Sequence, residues 1–229
     1  MPISPTPRSL LFIIPLMTFS CIISYGQEIR FQGHSLEAVS VSVTKETIMG
    51  KESLRVIKDT SIQAVDEPTF ARLTGINFHN GVIEVKVLSK LLANAPAYAR
   101  AFIGVAFRID DQNKKYESIY IRPLNARVDD QVRRNHSIQY YSYPDHKFDR
   151  LRRESPEKYE SYADMEMNKW ITLRIEVKDA GAMLFIGNNV QPSLVVTDLK
   201  MGNSASGSIG LWVDVGTEGY FTDLQIKKY

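Results

Sequence analysis

The chain has 229 residues, 44% hydrophobic and 24% charged, with a formal net charge of +2. That is enough apolar material for one good core, and a charge so near zero excludes a global electrostatic preference for nucleic acid or a membrane surface. A lone cysteine, Cys21, excludes a disulfide framework.

In chain order, Arg8 precedes a mostly apolar run over 10–23, and Ser24 and Gly26 supply small residues just before a cut ahead of Gln27. This is the pattern of a secretory signal peptide, 1–26, followed by a single domain over 27–229. Cleavage would remove Cys21 and leave a secreted or periplasmic protein with no integral membrane association. A membrane anchor competes with this reading, weakened by Pro15 and the absence of a basic flank. A lipid on Cys21 is weakened by the bulk of Phe19.

The rest reads as β throughout. Residues 36–44 alternate through Val39, Val41 and Val43, and 53–58 form a second short strand. A turn over 78–81 feeds 82–88, where Ile83, Val85 and Val87 alternate with Glu84 and Lys86. Residues 91–100, alanine-rich around Pro96, read as a loop. The run 101–109 splits by parity, with Ile103, Val105, Phe107 and Ile109 inward and Gly104, Ala106 and Arg108 outward. In 116–122, Ile119 and Ile121 point in, while Ser118, Tyr120 and Arg122 point out. Residues 159–162 read as a turn of helix or a crossing loop. Strict alternation over 170–178, a hairpin turn over 178–181, a strand over 182–186 and a turn over 187–189 follow. In 208–214, Ile209, Leu211 and Val213 point in and Gly210, Trp212 and Asp214 out. If the three parity-split runs share one sheet, Arg108, Tyr120, Arg122, Trp212 and Asp214 share its open face.

The segments 80–87, 104–108, 170–177, 207–213 and 220–226 resemble successive strands of the concanavalin A-like lectin/glucanase superfamily, and more narrowly its bacterial 3-keto-disaccharide hydrolase-type and laminin G-like domains. The resemblance covers about 35–229. It implies an all-β jelly-roll sandwich of two curved antiparallel sheets whose concave face binds glycans. The Glu-x-Asp-x-x-Glu strand of laminarinase-like hydrolases and the tryptophan-rich start of the narrower family are both missing, so no catalytic residue carries over.

Chemistry concentrates in 116–144, where Arg122, Arg127, Arg133 and Arg134, with Asn125 and Gln139, are interleaved with tyrosines. Arginine grips carboxylate or sulfate with a two-pronged fork, and Tyr or Trp stacks on a sugar ring, so an anionic oligo- or polysaccharide satisfies both. The plain alternative is that the arginines pair with Asp110, Asp129, Asp130, Asp145, Asp149 and Glu154 to tie down loops. Nucleic acid also uses arginine and aromatics, but secretion and the near-neutral charge argue against it.

Three readings of the site follow. A glycoside hydrolase would draw its acid and base from Glu218, Asp214 and Glu117. A non-catalytic carbohydrate-binding module would use Trp212, Tyr120 and the arginines. A uronate lyase would neutralise a substrate carboxylate with Arg122 and move protons through Gln139, Tyr140 and His136. No cofactor is expected. Histidine spacing does not suit zinc, and Asp129 and Asp130 leave room for a structural calcium.

Overall fold

The computed structural model describes Met1 and residues 29–229. Apart from Met1, the expected signal peptide lies outside the described residues. In chain order the first strands are β1 (Ile29–Phe31), β2 (His34–Val39), β3 (Val41–Ile48), β4 (Lys51–Lys58), β5 (Phe70–Leu73) and β6 (Gly81–Leu91). Next come β7 (Ile103–Ile109), β8 (Tyr116–Ile121), helix α1 (Gln131–Asn135), β9 (Ile138–Tyr143), helix α2 (Phe148–Glu154) and β10 (Glu160–Ser161). The last are β11 (Ile171–Lys178), β12 (Gly181–Ile186), β13 (Leu194–Val196), β14 (Ser208–Val213) and β15 (Thr217–Lys228). They form an eight-stranded sheet, ordered β1-β2-β5-β14-β7-β8-β9-β10, and a seven-stranded sheet, ordered β13-β12-β11-β6-β15-β4-β3, antiparallel throughout. This is the antiparallel sandwich that the strand pattern implied and the jelly roll that the resemblance implied.

Period-two patterning produces the seven-stranded sheet directly. Ile171, Leu173, Ile175 and Val177 of β11 are buried, and Thr172, Arg174 and Glu176 between them are partly exposed. The predicted strand 36–44 is in fact two. Ser40, at φ +51°, breaks it, so that β2 joins one sheet and β3 the other. The helices have five and seven residues, too short to leave an apolar period. The segment around 159–162 supplies an edge strand, β10, paired with β9.

The three runs thought to share a surface do lie side by side, as β14, β7 and β8. Across them Leu211, Val105, Ile119 and Tyr140 are register partners, as are Trp212, Gly104, Tyr120 and Gln139 one residue on. The first row faces the second sheet, where Val213 and Ile103 come close to Gly219 of β15. The second row lies on the outer face. Both rows are buried, because loop 59–69 and α2 cover the outer face as well.

Gly104 is required where strands β7 and β8 approach. A Cβ there would sit 2.4 Å from the Ile119 carbonyl oxygen and 2.5 Å from Tyr120 Cα, and backbone cannot rotate away as a side chain can. Gly104→Ala is expected to cost about 1–3 kcal/mol in urea denaturation. A change below about 0.5 kcal/mol would mean that the strands separate freely.

Candidate functional site

Beneath loop 59–69 lies a second aromatic core. The Trp212 ring centroid is 4.7 Å from that of Tyr120 and 5.7 Å from that of Tyr141. Tyr116 meets Phe70 edge-on at 5.4 Å, and its hydroxyl lies 3.0 Å from that of Tyr141. The loop closes over this cluster through hydrogen bonds: Trp212 Nε1 donates to Glu67 O at 3.0 Å and Asp66 N to Asp214 Oδ2 at 2.9 Å. Trp212 is therefore no sugar platform. It is fully buried, with its one polar atom satisfied.

Beside this plug the same face opens into a cleft of about 270 Å³. Four arginines line it, Arg100, Arg122, Arg133 and Arg152, together with Asn125, His136, the aromatic residues Tyr98, Phe102, Tyr120 and Phe148, and the acids Asp66 and Asp214. Arg122 is locked in place. Its Nη1 donates to His136 O at 2.9 Å and Glu160 Oε1 at 3.3 Å, and its Nη2 to the Tyr120 hydroxyl at 2.7 Å and Gln139 Oε1 at 3.2 Å. Its guanidinium lies 4.9 Å from the centre of the Tyr120 ring. Arg152 shares Glu160, with Nε donating to Oε2 at 2.9 Å, and lies over Phe148.

Arg133 comes from α1, whose start is capped by Asp130 Oδ1 accepting from Arg133 N at 3.1 Å. Its Nη2 makes a long contact to Asn125 Oδ1, 3.4 Å, and its Nε is buried without a partner. Arg100 is turned back on its own loop, donating to Ala97 O and Ala99 O at 2.7 Å. Burial, and then the charges of Arg133 and Arg122, hold its pKa below the ordinary arginine value. The cleft thus sets four cations against the carboxylate of Glu160, shared by Arg122 and Arg152, and against Asp66, because Asp214 is matched by Lys58 Nζ at 2.5 Å. Asp66 is buried at φ +53°, its Oδ2 accepting from Phe148 N at 2.9 Å. Burial and then the neighbouring Asp214 push its pKa up to about 7. Burial lowers that of His136.

Of the residues picked out from sequence, Tyr120, Arg122, Asn125, Arg133, His136 and Asp214 line this cleft, and Gln139 lies buried behind Arg122. The others are elsewhere. Arg108 takes φ +55° where the β7–β14 register shifts, and this bulge reverses its parity. Its guanidinium instead ties His79 O at 3.0 Å, Asn80 Oδ1 at 3.1 Å and Asp179 O at 2.7 Å. Ile109, by the same reversal, sits beside Gly210 and not inward.

Glu117 and Tyr140 share the inner face, where the Tyr140 hydroxyl donates to Glu117 Oε2 at 2.5 Å and Met201 N to Oε1 at 2.7 Å. Burial raises both pKa values, and neither residue reaches the cleft. The lyase set is therefore split between two faces of one sheet. Glu218 belongs to the other sheet, bound by Arg55 Nε at 2.6 Å. Arg127 pairs with Asp164 at 2.5 Å, and Arg134 donates to the Tyr162 hydroxyl at 3.0 Å, both at exposed positions. Of the arginine–acid pairs foreseen as loop ties, Arg150–Glu154 forms, at 2.9 Å, but it lies within helix α2 and joins no loop. Among the described residues no cluster of three or more His, Cys, Asp or Glu could hold a metal ion.

Sequence reading missed Asp66, Lys58, Arg100 and Glu160, and marked Arg152 only as one of the arginines that follow the dense segment. All stand in loops, at strand ends or in short elements, where neither period nor motif marks them.

The fold is an all-β jelly-roll sandwich. The chain is similar to a carbohydrate binding module from Bacillus subtilis, at 10% identity and a TM-score of 0.53, over 83% of this chain and 97% of that one. A protein of unknown function with a galectin-like fold from Bacillus subtilis gives 9% identity and a TM-score of 0.45, over 82% and 88% of the two chains. Domain 4 of an extracellular arabinanase from Geobacillus stearothermophilus gives 14% and 0.39, over 81% and 74%. No protein-family model matches the chain, and no curated protein does.

Proposed function

We propose that the protein binds an acidic saccharide unit, one bearing a carboxylate, in the arginine cleft. One observation carries this reading: four arginines line one cavity, Arg122 and Arg152 sharing the carboxylate of Glu160, and a buried donor, Arg133 Nε, is left unpaired. An anion would supply the missing acceptor and relieve the repulsion among like charges. The rings of Phe102, Tyr120 and Phe148 supply the apolar wall a sugar needs. The fold shared with a carbohydrate binding module agrees with this, and the apolar leader at 10–23 suits work outside the cytoplasm.

Calorimetric titration with glucuronic, galacturonic and mannuronic acids, with glucose as the neutral control, tests it. At least one uronate should bind and glucose should not. Arg133→Ala should weaken the uronate about ten- to hundredfold, the loss expected for a hydrogen bond to a charged group, and rising salt should weaken it further. Glucose binding as tightly as every uronate would overturn the reading.

Glycosidic cleavage is the second reading, favoured by one feature. Asp66, with a pKa near 7, and Asp214, ion-paired to Lys58, line the same cleft, and hydrolysis needs one carboxyl that holds its proton and one that does not. New reducing ends released from uronate-containing oligosaccharides, and lost in Asp66→Asn, would establish it. Binding without any product would leave a binding module.

A further inference from the structure

A second cavity, of about 290 Å³, adjoins the arginine cleft. Asp214 lines the cleft and Lys58 the second cavity, so their 2.5 Å ion pair forms the partition between them. Tyr98 lines both. It is 53% exposed, whereas Tyr120, in the wall of the cleft, is buried.

The loop that carries Tyr98 is tied down. Leu92 N donates to Gly216 O at 3.0 Å, Ala99 N to Pro96 O at 2.9 Å, and Arg100 braces the carbonyls on either side of Tyr98. Gly216, at φ +69°, lets the loop settle so closely that a Cβ there would lie 2.8 Å from that of Ala99. An exposed aromatic ring on a fixed support, between two cavities, is a platform that loses little entropy when a ligand stacks on it.

We propose that Tyr98 stacks against a second sugar unit, so that the ligand is an oligosaccharide with its acidic unit in the cleft and a neutral neighbour in the second cavity. The assignment rests on the arginine-cleft reading. The second unit is neutral because the charge of Lys58 is already matched by Asp214, while Asp59 places a carboxylate on the wall amid the polar side chains of Gln63, Asn94 and Thr217.

The test compares each free uronic acid (glucuronic, galacturonic, mannuronic) with the disaccharide linking it to glucose, by calorimetry on the native protein, Tyr98→Ala and Tyr98→Trp. For the uronate that binds, the disaccharide should bind about tenfold more tightly, the scale of one stacked ring. Tyr98→Ala should weaken the disaccharide by clearly more than it weakens the monosaccharide, cancelling most of that gain, and Tyr98→Trp should restore it. A uronate that binds alone with no gain for its disaccharide overturns the second subsite and spares the cleft. Equal losses for both ligands in Tyr98→Ala also overturn it. No binding by any uronate sinks the cleft reading and this one together.

Discussion

Replacing Lys58 by methionine is expected to destabilise the protein by about 3–5 kcal/mol, the usual cost of leaving one half of a buried ion pair behind. Both partners are out of solvent, with side chains 4% and 2% exposed, and Lys58 Nζ also donates to Ala64 O at 2.5 Å. Asp214 would remain sealed in the partition, still accepting from Asp66 N and Val215 N but with no cation beside it. Adding Asp214→Asn should recover part of the loss, because the amide carries no charge and its one oxygen still accepts from one of those two backbone groups. Urea denaturation of the two variants at pH 7 measures both effects. A Lys58→Met cost below about 1 kcal/mol would show that water reaches the pair.

A pH dependence with the opposite sign to that of a salt-bridged acid is expected of Asp66. Its pKa is 3.8 in an ordinary setting and about 7 in the fold, raised first by burial and then by Asp214. Below about pH 4 the carboxyl is protonated in both states. As pH rises towards 7 the unfolded chain releases its proton while the folded chain keeps it, so stability falls through that window and stays lowered above it. The full effect is on the order of 4 kcal/mol. Asp66→Asn keeps the acceptor for Phe148 N and a residue type that tolerates φ +53°. It should therefore be more stable than the native protein at pH 8 by a few kcal/mol, with the advantage shrinking towards pH 4. A stability difference that does not move with pH would mean that Asp66 ionises normally. The same titration acts on the cleft, which becomes more positive as pH falls through 7, so uronate binding should tighten in that direction.

Both effects arise from charge placed where the fold does not welcome it. A buried carboxyl held in a left-handed conformation, a buried ion pair in a partition and four arginines lining one cavity all oppose folding or add little to it. Such features concentrate where a surface is kept for a ligand. The arginines elsewhere behave differently: Arg127 and Arg150 form exposed pairs with nearby acids, which contribute little to stability.

Alternation in β7, β8 and β14 made their shared sheet legible in advance, together with which residues pack against the second sheet. The side of Arg108 was not legible. One residue at φ +55° shifts the register and reverses every side chain after it, and nothing in 101–109 except the backbone conformation marks the place. The strand break at Ser40 is of the same kind. Trp212 lay on the expected face, but its environment was set by loop 59–69, more than 140 positions away in the chain.

The amino-acid sequence by itself determined the two-sheet sandwich, because side-chain period is a local property that burial amplifies, and it marked Arg122 and Arg133 within one dense segment. Only the tertiary structure decided that Arg100 and Arg152 join them, that Asp66 and Lys58 meet Asp214, and that Glu117, Tyr140 and Glu218 face elsewhere. Those outcomes depend on contacts between segments with no pattern in common, brought together by loops whose path is set by the hydrogen bonds they find in the folded chain.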